Sequence, residues 1–183
     1  MSKNGLILLT PTSIAYTGTS ATISANGSVS LTACSVLSLN GVFSVDYDNY
    51  LIVARGKING AVAGQTWRYR LRASGTDNST ASSYTAQYLY ADATTVLGNR
   101  FSNNFAQIIG AYDGNEVGFV CHFYGPYLTQ PTAVRPVGVN SKSGAGIYEF
   151  PSTHNQSTSY DGLTFTTDAT SLSGRVAVYG MRK

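Results

Sequence analysis

The chain has 183 residues, and charged side chains make up only 11% of it, against roughly 25% in ordinary globular chains. Glu occurs twice and Lys four times, so the surface helix formers are missing and a Glu/Lys/Ala-rich helical protein is excluded. A net charge of +3 with no run of like charges offers no basic arm for packaging nucleic acid, and 43% apolar residues argue against disorder.

Ser, Thr and Asn fill 53 positions, Tyr 13 and Gly 19; these residue types fit pleated strands and tight turns. Leu6-Ile7-Leu8-Leu9 is too short for a signal-peptide core or a membrane span. The expectation is a chain made in a cytoplasm, without membrane insertion. Residues 13–17 and 21–25 read as a short strand pair around Gly18, and residues 29–39 alternate as one strand. Asn40-Gly41 is a hairpin-type turn signal. Strands over 42–46 and 50–58 follow, around Asp46-Tyr47-Asp48-Asn49, and 66–74 is the clearest strand of all. The stretch from Asp92 to Asn104 carries no strand or turn signal, and Gly98, Asn99 and Asn103 oppose a helix there. Further strands are expected at 84–91, 105–112, 116–125, 132–139, 145–150, 162–167 and 174–182. Turn residues at 75–79, 113–115, 125–126, 141–146 and 161–162 divide them.

Ten or so short strands at near-regular spacing, with little or no helix, predict an all-β antiparallel sandwich or barrel. Residues 1–40 are poorer in aromatics and read either as an N-terminal attachment segment or as the first strands. Residues 41–183 form the body of the β-sandwich on the first reading.

The strand Thr66 to Ala73 alternates strictly. Trp67, Tyr69, Leu71 and Ala73 point to the core, while Arg68, Arg70 and Arg72 share the other face, roughly 7 Å apart. Three guanidinium groups in a row repel unless something offsets them. They are either a solvated face paired with carboxylates or a face that meets a partner subunit or acidic sugar or phosphate groups; a subunit contact is the favoured functional option, and Arg68, Arg70 and Arg72 are the candidate subunit-interface residues. Asp46 and Asp48 could share one face, yet the rest of a calcium loop is absent, and a turn with Asx hydrogen bonds accounts for them. His122 lies in a strand and His154 in a polar loop, neither within a catalytic or metal-ligating pattern. No catalytic residue, cofactor or metal is expected, and the chain reads as a non-enzyme. Cys34 and Cys121 read as buried free thiols, with a disulfide left open. Tyr rings pack in cores and also serve recognition surfaces. Tyr124, Tyr127, Tyr148 and Tyr160, placed at strand ends or turns, are the candidate outward recognition surface.

Three segments carry a family resemblance: Tyr47-Asp-Asn-Tyr-Leu-Ile-Val53, Tyr69-Arg-Leu-Arg-Ala-Ser-Gly-Thr-Asp77 with Ser83-Tyr84 after it, and Ser173-Gly-Arg-Val-Ala-Val-Tyr-Gly-Met-Arg182. Together they resemble tail-fibre, tail-tip and other surface virion proteins of tailed bacteriophages. The resemblance spans roughly residues 40–183 and implies a jelly-roll-type β-sandwich, commonly a homotrimer, without catalytic residues. It implies a structural component of the virion surface, such as a tail fibre or host-recognition module attached through its N-terminal part. The partners would be other copies of the chain, other virion proteins of tail or capsid, and a host-surface glycan. A capsid decoration (cement) protein that stabilises the head is the near alternative, since no long shaft is present. A carbohydrate-binding module or lectin is the alternative from another class.

Overall fold

The computed structural model describes residues 5–60, 65–92, 94–111, 116–140 and 147–182. The expected turns at 113–115 and 141–146 lie outside the described residues. Runs of β-branched, aromatic and Leu residues between Gly, Asn and Asp turns form fifteen strands here. They are β1 (Leu6–Leu9), β2 (Ser13–Ile23), β3 (Val29–Asn40), β4 (Tyr47–Asn59), β5 (Gln65–Ala73), β6 (Thr76–Asp77), β7 (Tyr84–Asp92) and β8 (Thr95–Asn103). After these come β9 (Ala106–Ala111), β10 (Glu116–Tyr124), β11 (Thr132–Asn140), β12 (Ile147–Glu149), β13 (Ser152–His154), β14 (Gly162–Thr167) and β15 (Ser171–Arg182). No helix forms among the described residues, and every strand pairing is antiparallel. The all-β antiparallel architecture expected from the sequence is the one observed.

The sheet order is β12-β7-β13-β11-β10-β4-β15-β3-β14-β5-β6, with β1 on β15, β2 on β3, β8 on β7 and β9 on β5. The sheet folds over on itself, so that β5 lies across the inner side of β10. Trp67 meets Phe119 edge-on at 5.2 Å between ring centroids, and Tyr69 meets Phe123 at 5.1 Å. The Tyr69 hydroxyl reaches Ser152 Oγ at 2.9 Å, tying β5 to β13. Trp67, Tyr69, Leu71, Phe123 and Phe165 are fully buried between the two layers. Apolar burial of this kind is the main favourable term of the fold, about 1.5–3 kcal/mol for each large side chain.

One strand changes layer. β3 pairs with β15 through Val29 to Cys34, then with β14 through Val36 to Leu39. The changeover falls at Ser35, just past Ala33, whose φ is +48°, with register shifts against both β2 and β15 in this stretch. Gly18 sits opposite this bulge with φ +141°, and a Cβ there would run into the Ala33 carbonyl oxygen. A bulge bends a strand, which lets β3 turn the corner between layers.

Several expectations change at the level of elements. Residues 13–25 are not a pair of strands around Gly18; β2 is one bulged strand lying along β3. Residues 42–46 form turns rather than a strand, because the Tyr50 hydroxyl accepts from Ser44 N (2.7 Å) and holds that corner closed. The stretch 95–103 is a strand, β8, despite Gly98 and its Asn residues, since full pairing with β7 outweighs weak propensity. The run Leu6–Leu9 is also a strand, and residues 6–40 supply β1, β2 and β3 to the common sheet.

Candidate functional site

The outer face of β8-β7-β12/β13-β11-β10-β4 is a surface built by register. Two rows of it are mostly apolar, the first broken by Glu149, which pairs with Arg135. Leu89, Glu149, Val137, Val120 and Val53 follow one another across five strands. Val96, Ala91, Ile147, Val139 and Gly118 form the next row. Val120 has an exposure of 37% and Ile147 56%, and Gly118, lacking a side chain, leaves a dimple of about 470 Å³ ringed by Val53, Val137, Val139 and Ile147. In this half β10 and β11 are apolar on both faces: Val117, Phe119 and Val134 enter the core, while Val120, Val137 and Val139 stay outside. A contiguous exposed patch of this kind is the usual mark of an interaction surface.

The other half of the same face is polar and cationic. Arg100 pairs with Gln87, and the register then runs through Pro151 to Arg135 and His122. Phe150 and Pro151 interrupt the strand between β12 and β13, and Gln87 N donates to the Pro151 carbonyl at 3.0 Å. The interruption opens a groove of about 590 Å³. Its floor carries Thr85, Thr153 and Ala133; Arg100 and Arg135 stand at its flanks, and Tyr124 closes one end. The His122 and Tyr124 rings lie nearly parallel, 11° between planes and 6.1 Å between centroids. No carboxylate lines the groove among the described residues.

The arginine stripe of β5 is engaged within the chain. Arg68 pairs with Asp168 and covers the Phe105 ring at 4.2 Å. Arg70 Nε donates to the Asn104 carbonyl at 2.9 Å. Arg72 is buried, 3.3 Å from Asp77 and donating to Thr164 Oγ1 (2.7 Å) and to the Gly75 carbonyl. Asp168 beyond β14, Asp77 of β6 and two backbone carbonyls thus offset charges that the strand pattern alone leaves unpaired, and Arg72 does not face outward for a subunit contact.

Of the four candidate recognition tyrosines, only Tyr124 has an exposed ring. Tyr127 is half-buried against the core. Tyr148 and Tyr160 are buried rather than outward: Tyr148 stacks on Tyr90 at 4.8 Å and accepts from Asn140 Nδ2 at 3.1 Å. The Tyr160 hydroxyl accepts from Asn78 Nδ2 (2.8 Å) and meets His154 Nε2 at 2.5 Å. Tyr148 is the central residue of β12 and turns inward by strand alternation, and Tyr160 lies in the loop before β14 with its hydroxyl on buried partners, so a turn-adjacent position did not mean an exposed one. His154 is fully buried, and burial pulls its pKa down to about 4. Cys34 and Cys121 are free and buried, and burial pushes the Cys121 thiol up. Asp46 sits in a local Ser44 turn, with Asp46 N donating to Ser44 Oγ at 3.3 Å. Among the described residues, no group of three or more His, Cys, Asp or Glu could hold a metal, and no helix is long and apolar enough to cross a membrane. Arg100 was not a candidate from the sequence because β8 lacks strand signals, its neighbouring Val96-Leu97, Gly98 and Asn99 showing no alternation.

No protein-family model and no curated protein sequence matches the chain. Loosely similar solved structures include the following two. A protein of unknown function from Shewanella oneidensis MR-1 has 8% identity and a TM-score of 0.25, covering 97% of this chain and 79% of its own. The botulinum neurotoxin serotype G binding domain has 9% identity and a TM-score of 0.30, covering 100% of this chain and 44% of its own. Likenesses this loose lend nothing to a reading of function.

Proposed function

We propose that the chain is a non-enzymatic structural component of a tailed-phage virion surface, a homotrimeric tail-fibre or host-recognition module made in the host cytoplasm and carried on the virion. The observation that carries the assembly part is the patch of exposed Leu89, Val137, Val120, Val53, Val96, Ile147 and Val139 in two neighbouring cross-strand rows, interrupted by Glu149. An isolated domain gains nothing from that arrangement, whereas copies packed through it remove the patch from water. The virion part rests on the three resembling segments. Two of them lie in β4 and β15, neighbouring strands paired from Tyr47 to Asn59.

The N-terminal part supplies the attachment in this reading. β2 pairs with β3 alone among the described residues and is exposed along most of its length. Its free edge can accept a strand from another virion protein. Gold-labelled antibody on intact particles tests the assignment. Label at the tail supports the fibre or host-recognition module. Label around the head replaces it with a capsid decoration protein. Absence of label from every particle overturns the virion reading and leaves a free sugar-binding module.

A further inference from the structure

We propose that the cationic groove between Arg100, Arg135 and Tyr124 binds an extended acidic saccharide, with the two guanidinium groups taking carboxylates and the tyrosine ring stacking on a sugar face. The inference deepens the host-recognition reading and rests on it for the origin of the saccharide at a host surface.

The spacing of the cations sets the shape of the ligand. Arg100 on β8 and Arg135 on β11 stand in one cross-sheet row with β7 and β13 between them. Three inter-strand steps separate their backbones by about 14 Å. A single compact phosphate does not span that distance, whereas a chain with separated carboxylates does. Both guanidinium groups have donors to give. Arg100 forms no ion pair among the described residues. Arg135 touches Glu149 at 3.4 Å, but its side chain is 59% exposed, so that pair is worth little and leaves other N–H donors open. Arg binds carboxylates in a bidentate fork, which favours this class of anion.

The rest of the lining fits sugar rather than a peptide polyanion. Thr85, Thr153 and Ala133 make a floor of short side chains on which a flat ring can lie. Gln87 and Asn155 place amides beside that floor, and an amide both donates to and accepts from hydroxyls. Tyr124, braced by His122, offers an amphipathic ring at the end of the row. Sugar-binding sites need this mixture of an aromatic platform and convergent polar groups.

The test uses the full chain and hexagalacturonate as probe, followed by calorimetry at low salt, with maltohexaose and poly-glutamate alongside. Saturable binding of hexagalacturonate is expected, weakening as salt rises. Arg100→Gln and Arg135→Gln should each weaken it about tenfold or more, the worth of one charge-assisted hydrogen bond. Tyr124→Ala should weaken it without changing the salt dependence, and Arg55→Gln, outside the groove, should leave it unchanged. No saturable binding of hexagalacturonate overturns the proposal. So does equal binding of poly-glutamate that Tyr124→Ala leaves intact, which marks a generic polyanion or acidic-peptide surface. Particles that carry the protein at the tail while the purified chain ignores the saccharide sink the groove alone. Saccharide binding by a chain found on no particle keeps the groove and sinks the virion reading.

Discussion

Arg72 stands directly opposite Asp77 in the β5–β6 pair, with Nη1 3.3 Å from Oδ1. Thr164 Oγ1 sits between them, accepting from Arg72 and donating to Asp77 at 2.5 Å, and Ser38 Oγ joins it at 2.9 Å. Strands β3, β14, β5 and β6 are thus tied by one polar network beneath the edge of the sheet. The Arg72 side chain is 9% exposed and the Asp77 side chain 26%.

Removing one partner of this pair should be costly. Asp77→Asn leaves a nearly buried guanidinium without its counter-charge, a change worth about 3–5 kcal/mol for a fully buried pair. The partial exposure of Asp77 reduces that to roughly 2–3 kcal/mol. Urea unfolding should show a lower midpoint with an unchanged slope. The double variant Arg72→Met, Asp77→Asn should recover part of the loss, because no unpaired charge then remains.

His154 should make the fold sensitive to mild acid. Its folded pKa, near 4, lies below its ordinary value of 6.5, because the ring is buried against Tyr84 and Tyr160. Above pH 6.5 the ring is neutral in both states, and its contribution is complete. Between 6.5 and about 4 the unfolded chain takes up a proton that the fold refuses, so stability falls as the pH drops. The loss from this group is at most about 3 kcal/mol. Unfolding measured across that window should show the slope in the wild-type chain and a flatter profile in His154→Gln. An unchanged profile in the variant would place the acid sensitivity elsewhere.

The legible part of the sequence was the part governed by local pattern. Trp67, Tyr69 and Leu71 alternate with arginines, and they enter the core as that alternation requires. Residues 29–39 were also readable as one strand, whereas the passage of β3 from β15 to β14 at Ser35 was not. A bulge depends on which strands lie on either side, and that information is absent from the window. The same limit hid the partners of the arginine stripe, since Asp168 lies a hundred positions from Arg68. Tyr148 was misplaced because it is the inward-facing centre of a short strand, and Tyr160 because a loop residue can point inward when its hydroxyl finds a buried partner; their partners are Asn140 and His154. The groove escaped notice because it needs five strands in register, and no short segment contains it.

The apolar rows make a prediction about assembly. Val120→Asp places a carboxylate in the middle of the patch, at a position the isolated subunit already exposes to water. Substitution there should leave the unfolding midpoint of the subunit within about 0.5 kcal/mol of wild type. It should convert the proposed trimer to monomer in analytical ultracentrifugation, because a buried unpaired charge in the proposed interface is strongly unfavourable. A wild-type chain that sediments as monomer at every concentration would remove the trimer.

Cys34 and Cys121 supply the last prediction. They belong to β3 and β10, both are free and buried, and Cys34 Sγ donates to the Ser20 carbonyl at 3.1 Å. Neither thiol should react with a bulky disulfide reagent in the native protein, and both should react in denaturant, two per chain. Burial raises the Cys121 pKa further, so the thiolate that would attack is scarce even when the site opens. Adding a reductant should leave the unfolding midpoint where it is. A bond closing a loop of this length would contribute about 4–5 kcal/mol through the unfolded chain. A large drop on reduction would therefore reveal a disulfide and require β3 and β10 to approach each other more closely than they do here.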